Sequence, residues 1–83
     1  MKDNKIKELV ETLLQAKNHD DILDLLKGLL TIGEIEEIAR RLQIVKLLKA
    51  GVSQREIANR LKVGIATVTR GSREIKRGRF SKI

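Results

Sequence analysis

Two helix-start signatures, Thr31 with Glu34 and Ser53 with Glu56, punctuate the chain and commit it to a helical fold. In each, a hydroxyl residue stands three before a glutamate, the spacing at which the two side chains satisfy each other's free backbone N–H groups. Aliphatic residues follow the same periodicity. Ile6, Leu9, Val10, Leu13 and Leu14 fall at i, i+3, i+4, i+7 and i+8, which predicts a first helix over residues 4–17. Asn18, His19 and Asp20 break it. Asp20 is placed to cap a short second helix carrying Ile22, Leu23, Leu25, Leu26 and Leu29, with Gly28 weakening its end. Thr31 opens a third helix that runs to about Ala50, and Gly51 takes the position beyond it, where a left-handed residue is favoured. There is no proline, no two-residue alternation, no internal repeat and no low-complexity tract, so the fold class is all-α.

The third helix carries Ile35, Ile38, Leu42, Val45 and Leu48 as one stripe, which Ile44 and Leu47 extend around the side. A helix apolar on more than one face needs neighbours on more than one side. A chain of 83 residues buries only about 60% of its unfolded surface. The first three helices are therefore rich in aliphatic surface and too few to enclose it. That favours a homodimer over a monomeric core.

Residues 53–76 read as two short helices joined by a tight turn. The first starts at Ser53 and puts Ile57, Ala58 and Leu61 on one face. Ala58 is small where two helices cross, and Gly64 lies in the stretch that reverses direction. The second helix starts at Gly64 or Ile65. Its spacing turns Ile65, Val68, Ser72 and Ile75 inward and leaves Ala66, Thr67, Thr69, Arg70 and Arg73 outward. This is a helix-turn-helix, whose second helix enters the major groove of duplex DNA.

Charge supports that partner. Residues 1–49 hold as many acidic as basic side chains, so the whole net charge of +7 falls on residues 50–83. Basicity that coincides with a docking motif allows phosphate neutralisation and groove insertion on one face. Phe80 is the only aromatic residue, so stacking on successive bases of a single strand is excluded and duplex DNA is the better partner. The absence of cysteine excludes disulfides and thiolate metal sites, and His19 beside Asp20 and Asp21 is a poor metal site. No apolar run approaches the ~20 residues of a membrane span, and the start is too charged for a signal peptide, so no membrane and a cytoplasmic location are expected. No Ser/His/Asp or Cys/His set and no glycine-rich phosphate loop is present. The neighbouring carboxylates Glu36-Glu37 and Asp20-Asp21 read as solvated faces, so an enzyme is not expected.

The run from Gly64 to Ser72, Gly-Ile-Ala-Thr-Val-Thr-Arg-Gly-Ser, resembles the recognition helix of the trp operon repressor family, and Ser-Gln-Arg-Glu from Ser53 to Glu56 resembles its first reading-head helix. Leu29 to Val45 is similar to that family's central helices, and Thr31 to Gly51 also to shorter trp-repressor-related proteins. The resemblance spans residues 22–76. It implies an intertwined homodimer of five-helix chains in a single domain, 1–83: a helical dimerisation body over 4–50, a DNA-reading head over 53–76 and a basic tail over 77–83. It also implies L-tryptophan, wedged between body and head, or another small amino acid as corepressor; no other cofactor is expected. Arg41 and Arg70 match the two arginines that sandwich the indole, with Arg70 also holding the carboxylate. Thr31 and Gly71 match further pocket positions, Val45 and the carbonyl region of Leu30 complete the set, and Glu74 replaces the family's pocket serine. Guanidinium planes stack on aromatic rings and bind carboxylates bidentately, so the chemistry is sound. For DNA, the resemblance gives Arg55 a guanine edge and Gln54 a phosphate. It sets Gly64, Ile65, Ala66, Thr67 and Thr69 at bases and phosphates, beside the basic Arg70, Arg73 and Arg77.

Three positions depart from the family pattern. Glu74 either meets a ligand ammonium group or fills the site by pairing with Arg70. The turn glycine is Lys62, so either Lys62 takes a positive φ at about 1 to 2 kcal/mol or the turn shifts toward Gly64. The family's last helix is replaced by the short glycine-interrupted stretch 77–83, which reads as a phosphate-contacting or disordered tail. Arg41 and Arg70 also have ordinary partners four residues away, Glu37 and Glu74. The expected function is a sequence-specific duplex-DNA-binding transcriptional regulator, a repressor of this type. The alternatives are a transposase-type end-binding module and a basic helical module that binds an acidic protein.

Overall fold

A computed structural model describes residues 3–83. Among them five helices and no strand form: α1 (Asn4–Leu14), α2 (His19–Leu29), α3 (Ile32–Lys49), α4 (Gln54–Leu61) and α5 (Ile65–Lys76). The fold class is all-α, as the sequence implies, and the described residues hold the five helices that the family resemblance implies. It divides into two compact units, one ending at Ile35 and the other covering Glu36–Ile83, with the boundary inside α3. No helix of the described residues is long and apolar enough to cross a membrane.

In the first unit, local hydrogen bonds set the helix ends. Asp3 caps α1 by accepting from the Lys5 N–H at 2.8 Å. The helix stops at Leu14, short of the expected residue 17, because the N–H groups of Gln15 and Ala16 turn back to the carbonyls of Thr12 and Leu13, each at 3.2 Å. Such three-residue bonds tighten and close a helical turn. The cap of α2 is Asn18, not Asp20. Asn18 Oδ1 accepts from the Asp21 N–H at 2.9 Å, and Asp21 Oδ2 accepts from the Lys17 N–H at 3.1 Å. Asn18 caps the helix while the Asp21 carboxylate fixes the residue before it through the Lys17 N–H, which leaves Asp20 in the first turn beside the positive end of the helix dipole. At α3 both halves of the capping box form: Thr31 Oγ1 accepts from the Glu34 N–H at 3.1 Å, and the Thr31 N–H donates to Glu34 Oε1 at 2.8 Å.

No residue of α1 or α2 is buried. Ile6, Leu9, Val10 and Leu13, the stripe that defines α1, stay 37–46% exposed. The stripe is real, and within one chain its outer side remains open.

The second unit has a closed core. Ile44 from α3, Ile57 from α4 and Val68 from α5 are fully buried, with Leu47, Leu48, Val52, Ala58, Leu61 and Val63 packed around them. Burying each such aliphatic side chain contributes about 1.5 to 3 kcal/mol. The face of α3 that this core takes is Ile44, Leu47 and Leu48. Ile38 and Leu42, on the main stripe, remain 50% and 41% exposed. The expected inward set of α5 also needs one correction: Val68 is fully buried, whereas Ile65 is 52% exposed because the core closes one turn further along the helix.

Left-handed residues end three helices. Gly51 follows α3 at φ 89°, with its N–H donating to the Leu48 carbonyl at 3.0 Å and the Val52 N–H to that of Leu47 at 3.1 Å. Gly78 follows α5 at φ 94°, with matching bonds from Gly78 to Ile75 and from Arg79 to Glu74, both 3.0 Å. These pairs satisfy carbonyls that a helix end leaves free. Between them, α4 ends on Lys62 at φ 56° and ψ 45°.

Candidate nucleic-acid interface and ligand pocket

The helix-turn-helix is α4, a tight left-handed turn and α5. Ser53 Oγ accepts from the Glu56 N–H at 3.2 Å and starts α4 as expected. The return bond of the box is not made; the Glu56 carboxylate pairs instead with Arg60, one helical turn on. The turn is solved at Lys62, not by a shift toward Gly64. The N–H groups of Lys62 and Val63 both reach the Ala58 carbonyl, the latter at 3.1 Å. Gly64 is an extended residue with φ −69° and caps α5 with no side-chain hydrogen bond. The Ile65 and Ala66 amides are therefore left without a side-chain cap at the positive end of the helix, while the Thr67 N–H turns back to the Gly64 carbonyl at 3.1 Å.

Gln54 and Thr69 tie the two helices together. Thr69 Oγ1 lies 2.8 Å from Gln54 Oε1 and 2.9 Å from the Ile65 carbonyl oxygen. Arg55, Ile65, Ala66, Arg70 and Arg73 are exposed, while Thr67 is half-buried. One basic, small-residue face of α5 thus stands clear of the core. Arg77 follows at the end of α5, where its Nη1 lies 3.0 Å from Glu74 Oε1.

Beside this face, within the second unit, α3 and α5 enclose a cavity of about 290 Å³. Arg41 and Val45 of α3 and Arg70, Gly71 and Glu74 of α5 all line it. Five expected pocket residues, widely separated in sequence, therefore meet around one space. Leu30 and Thr31 belong to the first unit. There the Thr31 hydroxyl and N–H are both engaged with Glu34.

The charges around the cavity are paired unequally. Arg41 Nε lies 3.4 Å from Glu37 Oε1, and Arg40 takes the other oxygen of that carboxylate at 3.3 Å. Glu74 does not pair with Arg70. Its two oxygens are held by Arg77, a helical neighbour three residues on, at 3.0 Å and by Arg79 Nε at 3.7 Å, the latter brought back over α5 by the chain reversal at Gly78. Among the described residues no carboxylate comes within 4.0 Å of Arg70, which leaves its guanidinium as the lining charge open to an incoming anion. Gly71 has a second part to play. A Cβ there would lie 3.3 Å from Ile44 Cγ2 and 3.5 Å from Leu48 Cδ1, so its missing side chain lets α5 approach α3 closely.

Five lining residues escaped the sequence reading of the pocket, Glu37 and Ile44 of α3 among them. Ala66 and Thr67, expected only at DNA, also line the cavity, and so does Phe80 of the tail. Residues 77–83 form a run of turns packed back on the helices, not an unattached tail: Lys49 Nζ donates to the main-chain oxygens of both Phe80 and Ile83, the second at 2.8 Å. The signal for the reversal was Gly78, at the position after a helix where glycine is favoured. Nothing in the sequence pairs Lys49 with two main-chain oxygens.

The chain matches the family model described as Trp repressor protein over residues 4–81. A Trp operon repressor homolog of Vibrio vulnificus is 45% identical over 73 residues, covering 87% of this chain and 69% of the relative. Homologs of the same name from Vibrio cholerae and Mannheimia succiniciproducens are 41% and 46% identical, covering 87% and 83% of this chain and 68% and 69% of the relatives. No solved structure gives a significant match. The match takes in α1 and most of the tail, well beyond the residues 22–76 that carried the resemblance. With its five helices in order and this degree of likeness along nearly its whole length, the chain belongs to the Trp repressor family, a family of regulators and not of enzymes.

Proposed function

We propose that the protein is a homodimeric, sequence-specific duplex-DNA-binding repressor, with a small amino acid, L-tryptophan first among candidates, as corepressor. One observation carries this reading: α5 contributes Ala66, Thr67 and Arg70 both to the cavity and to the helix whose outer face is exposed and basic. A ligand wedged between α3 and α5 bears directly on the helix that would enter the groove. Such a ligand shifts DNA affinity only by binding the groove-competent arrangement more tightly than the alternative.

In the groove, Arg55 takes a guanine edge, and the exposed Ile65 and Ala66 meet apolar groups on the bases. The uncapped N-terminus of α5, with Gln54, Thr69 and Arg73 nearby, takes phosphates. In the cavity, Arg70 receives the ligand carboxylate while the Arg41 plane lies against its side chain. The dimer follows from the open apolar faces of α1 and α2, which a second copy covers. Its two-fold axis presents two copies of α5 about 34 to 36 Å apart.

The test combines two measurements. Competition between a palindromic duplex and random duplex at fixed salt reports sequence preference; equal affinity removes the specific repressor and leaves the protein-binding alternative. Calorimetry with L-tryptophan, on the unmodified chain and on Arg70→Ala, reports the ligand. Binding abolished by the substitution supports the corepressor role, and no heat from the unmodified chain removes it.

A further inference from the structure

The second unit holds one arrangement that the corepressor reading does not use. Past Gly78 the chain folds back, and Phe80 adopts φ 63°, a left-handed conformation that residues with a Cβ rarely take. Two clamps hold it there. Lys49 Nζ, at the end of α3, donates to the Phe80 and Ile83 main-chain oxygens, and the Glu74 carboxylate on α5 is gripped by Arg77 and Arg79 on either side of the reversal. The result places the only aromatic ring of the chain, 37% exposed, at the wall of the Arg41–Arg70 cavity.

We propose that residues 77–83 form a strap that closes one side of this cavity, and that Phe80 on it sets how large an amino-acid side chain the cavity takes. The proposal rests on the ligand reading above. Arg70 fixes the carboxylate end of the ligand, so the side chain is directed among Ile44, Val45 and the Phe80 ring, the apolar part of the lining. The walls on α3 and α5 are helix surfaces joined by a packed core and give little. Phe80 sits on a turn held by side-chain clamps, and its ring is the part of the wall whose size and position are most easily changed. A non-glycine residue kept in a sparsely populated conformation beside a cavity is the kind of local strain that functional sites hold in place.

Calorimetric titration with L-alanine, L-leucine and L-tryptophan tests this on the unmodified chain, on Phe80→Ala and on Lys49→Ala, with helix content checked by circular dichroism. Removing the ring widens the cavity, so the ratio of the L-leucine to the L-tryptophan dissociation constant is expected to rise at least tenfold in Phe80→Ala. Lys49 touches the strap and not the cavity, so Lys49→Ala is expected to shift the ratio in the same direction by less. L-tryptophan binding seen in Phe80→Ala alone also supports the proposal. Unchanged ratios in both variants overturn it and leave the corepressor reading standing. A shift in Phe80→Ala with none in Lys49→Ala overturns the clamp. No binding of any of the three amino acids to any of the chains removes the strap's role and the corepressor reading together.

Discussion

Lys62 carries the sharpest departure from the family pattern, and the structure resolves it by placing a lysine in the left-handed region at φ 56°. That conformation costs a residue with a Cβ about 1 to 2 kcal/mol, part of which glycine returns as extra freedom in the unfolded chain. Lys62→Gly is therefore expected to stabilise the protein by about 0.5 to 1 kcal/mol, read as a rise in the urea midpoint at unchanged slope. A fall in the midpoint would contradict the strain argument. At the interface, Arg55→Ala is expected to cost about 1 to 3 kcal/mol on the palindromic duplex and little on random DNA. Equal losses on both would remove its base-reading role. Arg73 has no carboxylate within 4.0 Å among the described residues, whereas Arg77 leans on Glu74. Arg73→Ala is accordingly expected to flatten the salt dependence of DNA binding more than Arg77→Ala, measured as the slope of log affinity against log salt.

At the scale of helices, the two capping boxes look alike in sequence and differ in space. Thr31 and Glu34 exchange both bonds, whereas Ser53 gives its cap alone and Glu56 turns to Arg60. Thr31→Ala and Ser53→Ala are each expected to cost about 1 kcal/mol. Glu34→Ala is expected to cost clearly more than Glu56→Ala, whose loss removes only an exposed pair worth a few tenths. Comparable losses for the two glutamates, from denaturation midpoints, would count against this difference. Helix order and most starts were legible because caps and periodicity are local. The end of α1 and the cap of α2 were not, since two adjacent polar residues, Asn18 and Asp20, competed for one role. Asn18 takes the role, and the Asp21 carboxylate turns to the Lys17 N–H. On α3 the pattern placed apolar residues on more than one face, and Ile44 and Val45 are indeed both buried; that Ile38 and Leu42 of the same stripe stay half-exposed depends on where α4 and α5 arrive, which periodicity does not encode.

For the molecule as a whole, the second unit closes a core and the first leaves its aliphatic stripes open. Ile6, Leu9, Val10, Leu13 and Ile22 are each more than a third exposed, and apolar residues gathered in larger exposed patches mark interaction sites. If a second copy covers it, the thermal midpoint is expected to rise with protein concentration, as mass action requires of a folded dimer. A midpoint independent of concentration, with a monomer mass by sedimentation, would contradict the dimer. The pocket was legible only through likeness to a family. Arg41 and Arg70 carry no spacing signal of their own, and their convergence depends on Gly71 admitting α3. In residues 77–83 only the reversal at Gly78 had a sequence signal; the Lys49 anchor had none, because main-chain oxygens leave no trace in side-chain pattern.

The two-sided use of α5 limits how such a regulator can diverge. Ala66, Thr67 and Arg70 stand at once in the wall of the cavity and on the helix offered to the groove. Under the proposed function, a substitution at any of them that retunes DNA preference would also reshape the space behind it, so drift in one property would drag the other. Arg55 and Ile65 lie outside the lining. Under the same proposal they are the positions where DNA preference could change without touching the cavity, and where an engineer seeking an orthogonal switch would begin.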